Sequence, residues 1–268
     1  MAMAVVTPTL LTACSSGGAA VTETTVAAAP TAAQTVTPEP AVAIDESTTD
    51  ETTDETTDAS TTDAMAGGEP SVSESELVWA RANLGFVSAY VLARGNTAAI
   101  VDTGTAGSAA AIGATLTTLG LNYSDVAHVI LTHNHADHAG SIEEVVAQAI
   151  NATTYAGEAD LGPLPVSVSG LVGGEDVFGF EMLPTPGHTP GHMAVIDHQA
   201  GLLVAGDAIF TEGGGVVEGP ERFFDDIAQS RDSIQTMAAL TFNTLLVGHG
   251  DPITERADSA VAALAASF

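Results

Sequence analysis

The sequence predicts a mixed α and β domain over residues 77–268, preceded by a segment unable to build a core. Two patterns predict the domain: short apolar runs of strand length bounded by turn residues, and intervening stretches that carry helix start and stop signals. Composition bounds its size, because 268 residues at 45% apolar and only 4% aromatic allow one medium domain with a real core and little more.

The elements follow in chain order. Val87–Leu92 and Ala98–Val101 are apolar runs separated by Gly95-Asn96, a hairpin signal. Gly107 to Leu119 has helical texture and stops at Gly120, and Ala127 to Leu131 is a strand that runs directly into a histidine cluster. A helix begins at Ser141, which is placed to cap it, with Glu144 three residues on as a capping box requires. Strands are expected near 152–155, 177–183, 193–197 and 202–206, and helices near 223–240 and 254–267 flank a last strand at Thr244–Val247.

Residues 15–76 are Ala, Thr, Val, Pro and acid without a basic residue, including the repeat Thr48-Thr49-Asp50-Glu51-Thr52-Thr53-Asp54-Glu55. Such a stretch buries too little apolar surface to offset chain entropy, and its like charges repel, so a disordered, extended tether is expected. The repeats lack the glycine turn and bidentate glutamate of a calcium loop. Before the tether, Leu11-Thr12-Ala13-Cys14 matches a bacterial lipobox, so residues 1–14 are expected to be a lipoprotein signal peptide. Export and a lipid anchor on Cys14 would follow, and a fortuitous match would leave the chain cytoplasmic. No segment approaches the ~20 apolar residues of a membrane span.

The formal charge is −29, from 34 acids against five bases, all of them arginine. A chain this acidic repels a polyanion, so nucleic acid is not expected as a partner and a small molecule is. Cys14 is the single cysteine, which excludes an intrachain disulfide and a thiolate metal site in the domain.

The chemistry concentrates in His133-Asn134-His135-Ala136-Asp137-His138. Four metal-competent side chains within six positions are wasteful in a core and suitable for a loop at a strand end, where neighbours can point into one cavity. His133-x-His135-x-Asp137-His138 resembles the signature of the metallo-β-lactamase superfamily, and the resemblance spans roughly residue 77 to the carboxyl terminus. It implies a four-layer αββα sandwich, an order of layers that the pattern of elements alone leaves open. Further downstream, His188 in Thr185-Pro186-Gly187-His188, Asp207 in Ala205-Gly206-Asp207 and His249 in Val247-Gly248-His249 match the family's remaining ligands. The resemblance thus implies His133, His135 and His188 on one metal, Asp137, His138 and His249 on a second, and Asp207 bridging them. Asp102 resembles a supporting aspartate of the family.

Nitrogen and carboxylate donors suit zinc best, with iron or manganese also accommodated. Two such cations ~3.5–4 Å apart bring a shared water toward a pKa of about 7, so hydroxide is available as a nucleophile at neutral pH. Asp137 is the candidate catalytic group that orients it and returns a proton to the leaving group. An ester, thioester or lactone hydrolase is therefore expected. The missing cysteine speaks against thiolate-dependent lactamases, and Asp207 against the remaining lactamase pattern. Glutathione is a doubtful substrate because there is no lysine to grip it and the chain ends soon after His249. Lactonases that use a tyrosine have Tyr90, Tyr123 and Tyr155 to draw on, none in a matching motif. A mononuclear iron persulfide dioxygenase and a β-lactamase-type hydrolase are the alternatives on this scaffold. Among the other residues, His192 is expected to support the ligands or to belong to the core, His128 to be buried and hydrogen-bonded, and His198 to be solvated. Residues 212–220 are expected to be a lid or a surface turn, with Arg222 the best placed partner for an anionic substrate.

Overall fold

The structure, a computed structural model, describes residues 76–268. The expected signal peptide, lipobox and all of the tether but Glu76 lie outside the described residues. The first half supplies β1 (Leu77–Asn83), β2 (Ser88–Arg94), β3 (Thr97–Val101), α1 (Ala109–Thr118), β4 (Val126–Ile130), the single turn α2 (Ala136–Ala139), α3 (Ile142–Gln148), β5 (Thr153–Gly157) and β6 (Ser169–Leu171). The second supplies β7 (Asp176–Val177), β8 (Phe180–Pro184), β9 (Met193–Asp197), β10 (Leu202–Gly206), β11 (Phe210–Glu212), β12 (Gly215–Val217), α4 (Ile227–Ala238), β13 (Thr244–Val247) and α5 (Ala257–Ala265).

One sheet has the order β1-β2-β3-β4-β5-β6 and the other β13-β10-β9-β8-β7, while β11 and β12 pair only with each other. Gly95-Asn96 is the two-residue turn between β2 and β3, with Arg94 opposite Thr97. From β3 onward the first sheet is parallel, and α1 and α3 provide crossovers.

Side chains alternate across each strand, and this period of two builds the layers. On β2, Ala89, Val91 and Ala93 pack with α1 and α3 residues such as Ile112 and Val145. Tyr90 and Leu92 of the same strand turn the other way and meet Met182, Val195 and Val204 of the second sheet. Ile196, Leu203 and Val247 face outward from that sheet onto Ile234 and Met237 of α4 and Val261 of α5. Three apolar interfaces separate four layers, helix, sheet, sheet, helix. The buried strands read as continuous apolar runs because both faces of both sheets are covered.

Local differences from expectation have local causes. The strand expected over 177–183 breaks into β7 and β8 at Phe178-Gly179, both with positive φ, 63° and 81°. The helix expected from 223 starts only at Ile227, because the Asp226 side chain accepts from Ala228 N and Gln229 N and so caps it there. Ser141 makes no cap: its hydroxyl donates to Thr105 O at 2.6 Å and accepts from Ser108 N at 2.7 Å, so it ties α3 to the loop before α1. Glu144 accepts from Gly107 N in that same loop. Strands β1, β6 and the β11-β12 hairpin were not expected. The hairpin overlaps 212–220, where a lid or a surface turn is expected. Among the described residues no helix is long and apolar enough to cross a membrane.

Candidate metal centre

The site lies where strand ends from both sheets meet. β4 ends at Ile130, and its extension carries His133 and His135; α2 carries Asp137 and His138. His188 comes from the β8-β9 loop, Asp207 directly follows β10, and His249 follows β13. Each loop sits at a strand terminus, so the two sheets fix the relative positions of all seven side chains expected to bind metal.

Those seven side chains come together. Donor atoms of His133, His135 and His188 lie within 4.8 Å of one another, as do those of Asp137, His138 and His249, and those of His133, His138 and Asp207. His188 Nε2 is 3.2 Å from His133 Nε2 and 2.9 Å from His135 Nδ1. Across the site His138 Nε2 is 3.4 Å from His249 Nε2. Asp207 stands between the two groups: Oδ2 is 3.4 Å from His188 Nε2 and 3.2 Å from His249 Nε2, and Oδ1 is 3.2 Å from His138 Nε2. Asp207 Oδ1 is buried and lacks a well-aligned hydrogen bond to that nearby nitrogen. Convergent imidazole nitrogens and an acceptor-only oxygen that do not satisfy one another are the donor set of a divalent cation site.

The far nitrogens are also tied. Asp102, in a left-handed conformation at φ 63°, accepts from His138 Nδ1 at 2.9 Å, Thr132 N at 2.8 Å and the Thr132 hydroxyl at 2.8 Å. Thr132 Oγ1 in turn lies 3.1 Å from His133 Nδ1. Since that hydroxyl donates to Asp102, it accepts from the imidazole. This network assigns the proton of His133 to Nδ1 and leaves its Nε2 lone pair facing the site. His249 Nδ1 donates to Phe86 O at 2.8 Å, and its ring lies parallel to those of Phe86 and Phe210. His192 accepts from Asp207 N through Nε2 at 3.1 Å and pairs with Thr185 Oγ1 through Nδ1, the supporting place expected of it.

The electrostatics divide the site in two. Burial, only partly countered by Asp207, pushes His188 down to about 4, and burial likewise holds His133 well below the ordinary imidazole value. Burial also opposes charge on His249, yet the bonds to Asp137 and Asp207 outweigh it and lift that imidazole to about 10. His138, buried as well, is raised by Asp207 and Asp102. The hydrogen bond from His249 lowers Asp137 in turn. Burial therefore disfavours a proton on His133 and His188, whereas the neighbouring carboxylates favour one on His138 and His249.

A pocket of about 340 Å³ opens over the site, with His135, Asp137, His188, Asp207 and His249 as its floor and Phe210, Arg222, Phe223, Phe224 and Asp225 as its wall. None of the three tyrosines lines it. The Tyr90 hydroxyl donates to Val247 O and that of Tyr123 to Ala109 O, and burial raises both to about 12. His128 is half-buried rather than buried, and its Nδ1 lacks the expected hydrogen bond because its neighbours are the rings of Tyr155 and Phe178. His198 is exposed, with Glu181 Oε2 2.7 Å away.

Residue-pattern reasoning missed Asp160, which is fully buried between the two ligand loops. It sits in Glu158-Ala159-Asp160, where nothing in the local pattern sets it apart from a surface acid.

The family model described as the metallo-beta-lactamase superfamily matches residues 82–249. Uncharacterized protein YobT of Bacillus subtilis is 29% identical over 61% of this chain and 83% of its own length. A hydroxyacylglutathione hydrolase of Bdellovibrio bacteriovorus is 33% identical over 47% of this chain, and the match spans about half of that relative, 49%. Among solved structures, the metallo-beta-lactamase family protein TTHA1429 from Thermus thermophilus superposes with a TM-score of 0.55 at 25% identity, covering 68% of this chain and 74% of that one. TTHA1623, solved in a di-iron-bound form, superposes with a TM-score of 0.55 at 25% identity, covering 66% and 93%.

Proposed function

This chain belongs to the metallo-beta-lactamase superfamily, and from that premise we propose that it is a two-metal hydrolase that cleaves an ester, thioester or lactone of a small molecule. The place of Asp207 carries the proposal: one buried carboxylate lies within 3.4 Å of an imidazole nitrogen from each of the two donor groups. In this proposal His133, His135 and His188 hold one cation, Asp137, His138 and His249 the other, and Asp207 both. A cation pair in those positions supplies Lewis acidity, which polarises a carbonyl and lowers the pKa of water toward about 7. Nitrogen and oxygen donors without sulfur fit zinc, and the di-iron form of TTHA1623 makes iron the metal to compare.

The chain's own residues do the rest. The Asp137 carboxylate is 30% exposed and lines the pocket, so it is placed to take a proton from water and return it to the leaving group. Asp102 and His192 fix the orientation of the groups behind it. The Phe210, Phe223 and Phe224 rings give the acyl portion an apolar wall, and Arg222 faces any anionic group it carries. The name of the hydroxyacylglutathione hydrolase supports a hydrolytic reaction, while the lysine-free, acidic chain favours a smaller substrate than glutathione conjugates.

Metal analysis of the purified full chain, with a screen of lactones, thioesters, aryl esters and β-lactams, tests the proposal. Two metal ions per chain and acyl turnover that is lost in Asp207→Ala are expected. Fully metallated protein that turns over none of these substrates, or that holds a single iron, overturns it and favours the dioxygenase alternative.

A further inference from the structure

We propose that Asp160 is a positioning residue that locks the two loops carrying His133, His135 and His188 to each other, and that the inner cation site depends on it. The inference rests on the ligand assignment proposed above. Asp160 follows β5 and is 0% exposed, yet no cation pairs with it among the described residues. Its carboxylate is instead held by donors from both ligand loops. Oδ2 accepts from Asn134 N, between His133 and His135, at 3.2 Å, and from Thr189 Oγ1, next to His188, at 2.7 Å. Oδ1 accepts from Gly191 N at 2.9 Å, and the backbone carbonyl accepts from the Asn134 side chain at 3.2 Å.

Backbone packing brings these groups together. A Cβ on Gly157 would overlap the carbonyl oxygen of Gly191, and one on Gly191 would come 2.6 Å from Asp160 N. Glycine at both positions lets the β5 end lie directly against the His188 loop. A buried carboxylate is expensive to desolvate and persists only where its oxygens are filled. Here the donors that fill them come from neutral groups on two loops 26 to 31 residues away, so separating the loops would expose an unsatisfied charge. The chemistry also demands acid rather than amide. All three side-chain partners donate, and an asparagine in place of Asp160 would turn its NH2 toward one of them.

The outer group, Asp137, His138 and His249, makes no bond to Asp160; it is held by Asp102 and Phe86 instead. The two sites should respond differently. Zinc titration calorimetry on the full chain, with histidine ring-nitrogen NMR to report which imidazoles are ligated, reads this directly. In Asp160→Asn the affinity at His133, His135 and His188 should fall about 10- to 100-fold, the usual effect of removing a group that orients ligands, while the outer site stays within about threefold. Thr189→Val, which removes one donor and keeps the shape, should move the inner site in the same direction by less. Asp160→Glu should not restore it, because the longer side chain cannot reach the same donors within the packed loops. Equal weakening at both sites, or no change at either, overturns the role of Asp160. Wild-type protein that binds no zinc overturns the ligand assignment as well, so the two failures are distinct.

Discussion

Replacing Asp102 by asparagine should damage the outer donor group and spare the inner one. The amide keeps the shape of the carboxylate, and asparagine tolerates the left-handed backbone at φ 63°. Its side-chain oxygen can still accept from Thr132 N and the Thr132 hydroxyl, so the Thr132 to His133 link survives. Its NH2 then meets His138 Nδ1, where the native oxygen accepts at 2.9 Å. Two donors cannot share that bond. The imidazole must then keep its last proton on Nε2, the nitrogen that has to be bare before a metal can bind there. Loss of such an orienting partner weakens metal binding about 10- to 100-fold, or ~1.4–2.7 kcal/mol at about 1.36 kcal/mol per decade. Asp102→Ala should do more. It strips all three donors, about 1 kcal/mol for each neutral bond and ~1.5–3 kcal/mol for the bond between charged groups, and places alanine in a conformation costing about 1 kcal/mol or more. The total of ~4–6 kcal/mol should appear in urea unfolding with chelator present. Zinc calorimetry at neutral pH reads the asparagine variant. If both sites of Asp102→Asn bind zinc within about threefold of wild type, the proton assignment on His138 is wrong.

Proton linkage should distinguish the two donor groups. With His249 lifted to about 10 against an ordinary 6.5, the metal-free protein carries stability that is fully present below pH 6.5 and lost as pH rises toward 10. Its Tm should therefore fall between about pH 7 and 9. If zinc binds His249 as proposed it must displace that proton, so calorimetry in buffers of different ionisation enthalpy should register release of close to one proton between about pH 7 and 9, with affinity rising as pH rises. Gly157→Ala should cost about 2 kcal/mol or more, because the added methyl meets the backbone of Gly191 rather than a side chain able to turn away; a Tm unchanged within about 2 °C would refute it. Ser141→Ala should destabilise by about 1 kcal/mol, because Ser108 N and Thr105 O lose the Ser141 hydroxyl but keep their bond to each other at 3.1 Å. Restoring a helix cap elsewhere in α3 should not rescue it.

Much of the centre is legible in the sequence because its donors are types that rarely crowd together for any other reason. His133, His135, Asp137 and His138 announce themselves by density, whereas His188, Asp207 and His249 stand out only through the resemblance of their motifs to the family's ligands. The buried strands β9, β10 and β13 are equally plain, since both of their faces must be apolar. What escapes is whatever depends on partners far along the chain. Asp160 looks like a surface acid until the β5 end is laid against the His188 loop. Ser141 carries the marks of a helix cap, but a loop more than 30 residues upstream competes for its hydroxyl and wins. β1 alternates too weakly to be seen alone and is a strand because β2 offers it a complete antiparallel ladder.

The ring of His249 lies between two parallel aromatic plates, Phe210 at 5.3 Å and Phe86 at 5.9 Å between centroids. A flat ring with two parallel aromatic neighbours resists tilting. Phe210 is tethered in the β11-β12 hairpin, whereas Phe86 is 66% exposed on the turn joining β1 and β2. The plate free to yield is thus Phe86, whose carbonyl also holds the far nitrogen of the ring. If that group holds a metal as proposed, its exchange should be a matter of rate as well as affinity, timed by the opening of one short turn.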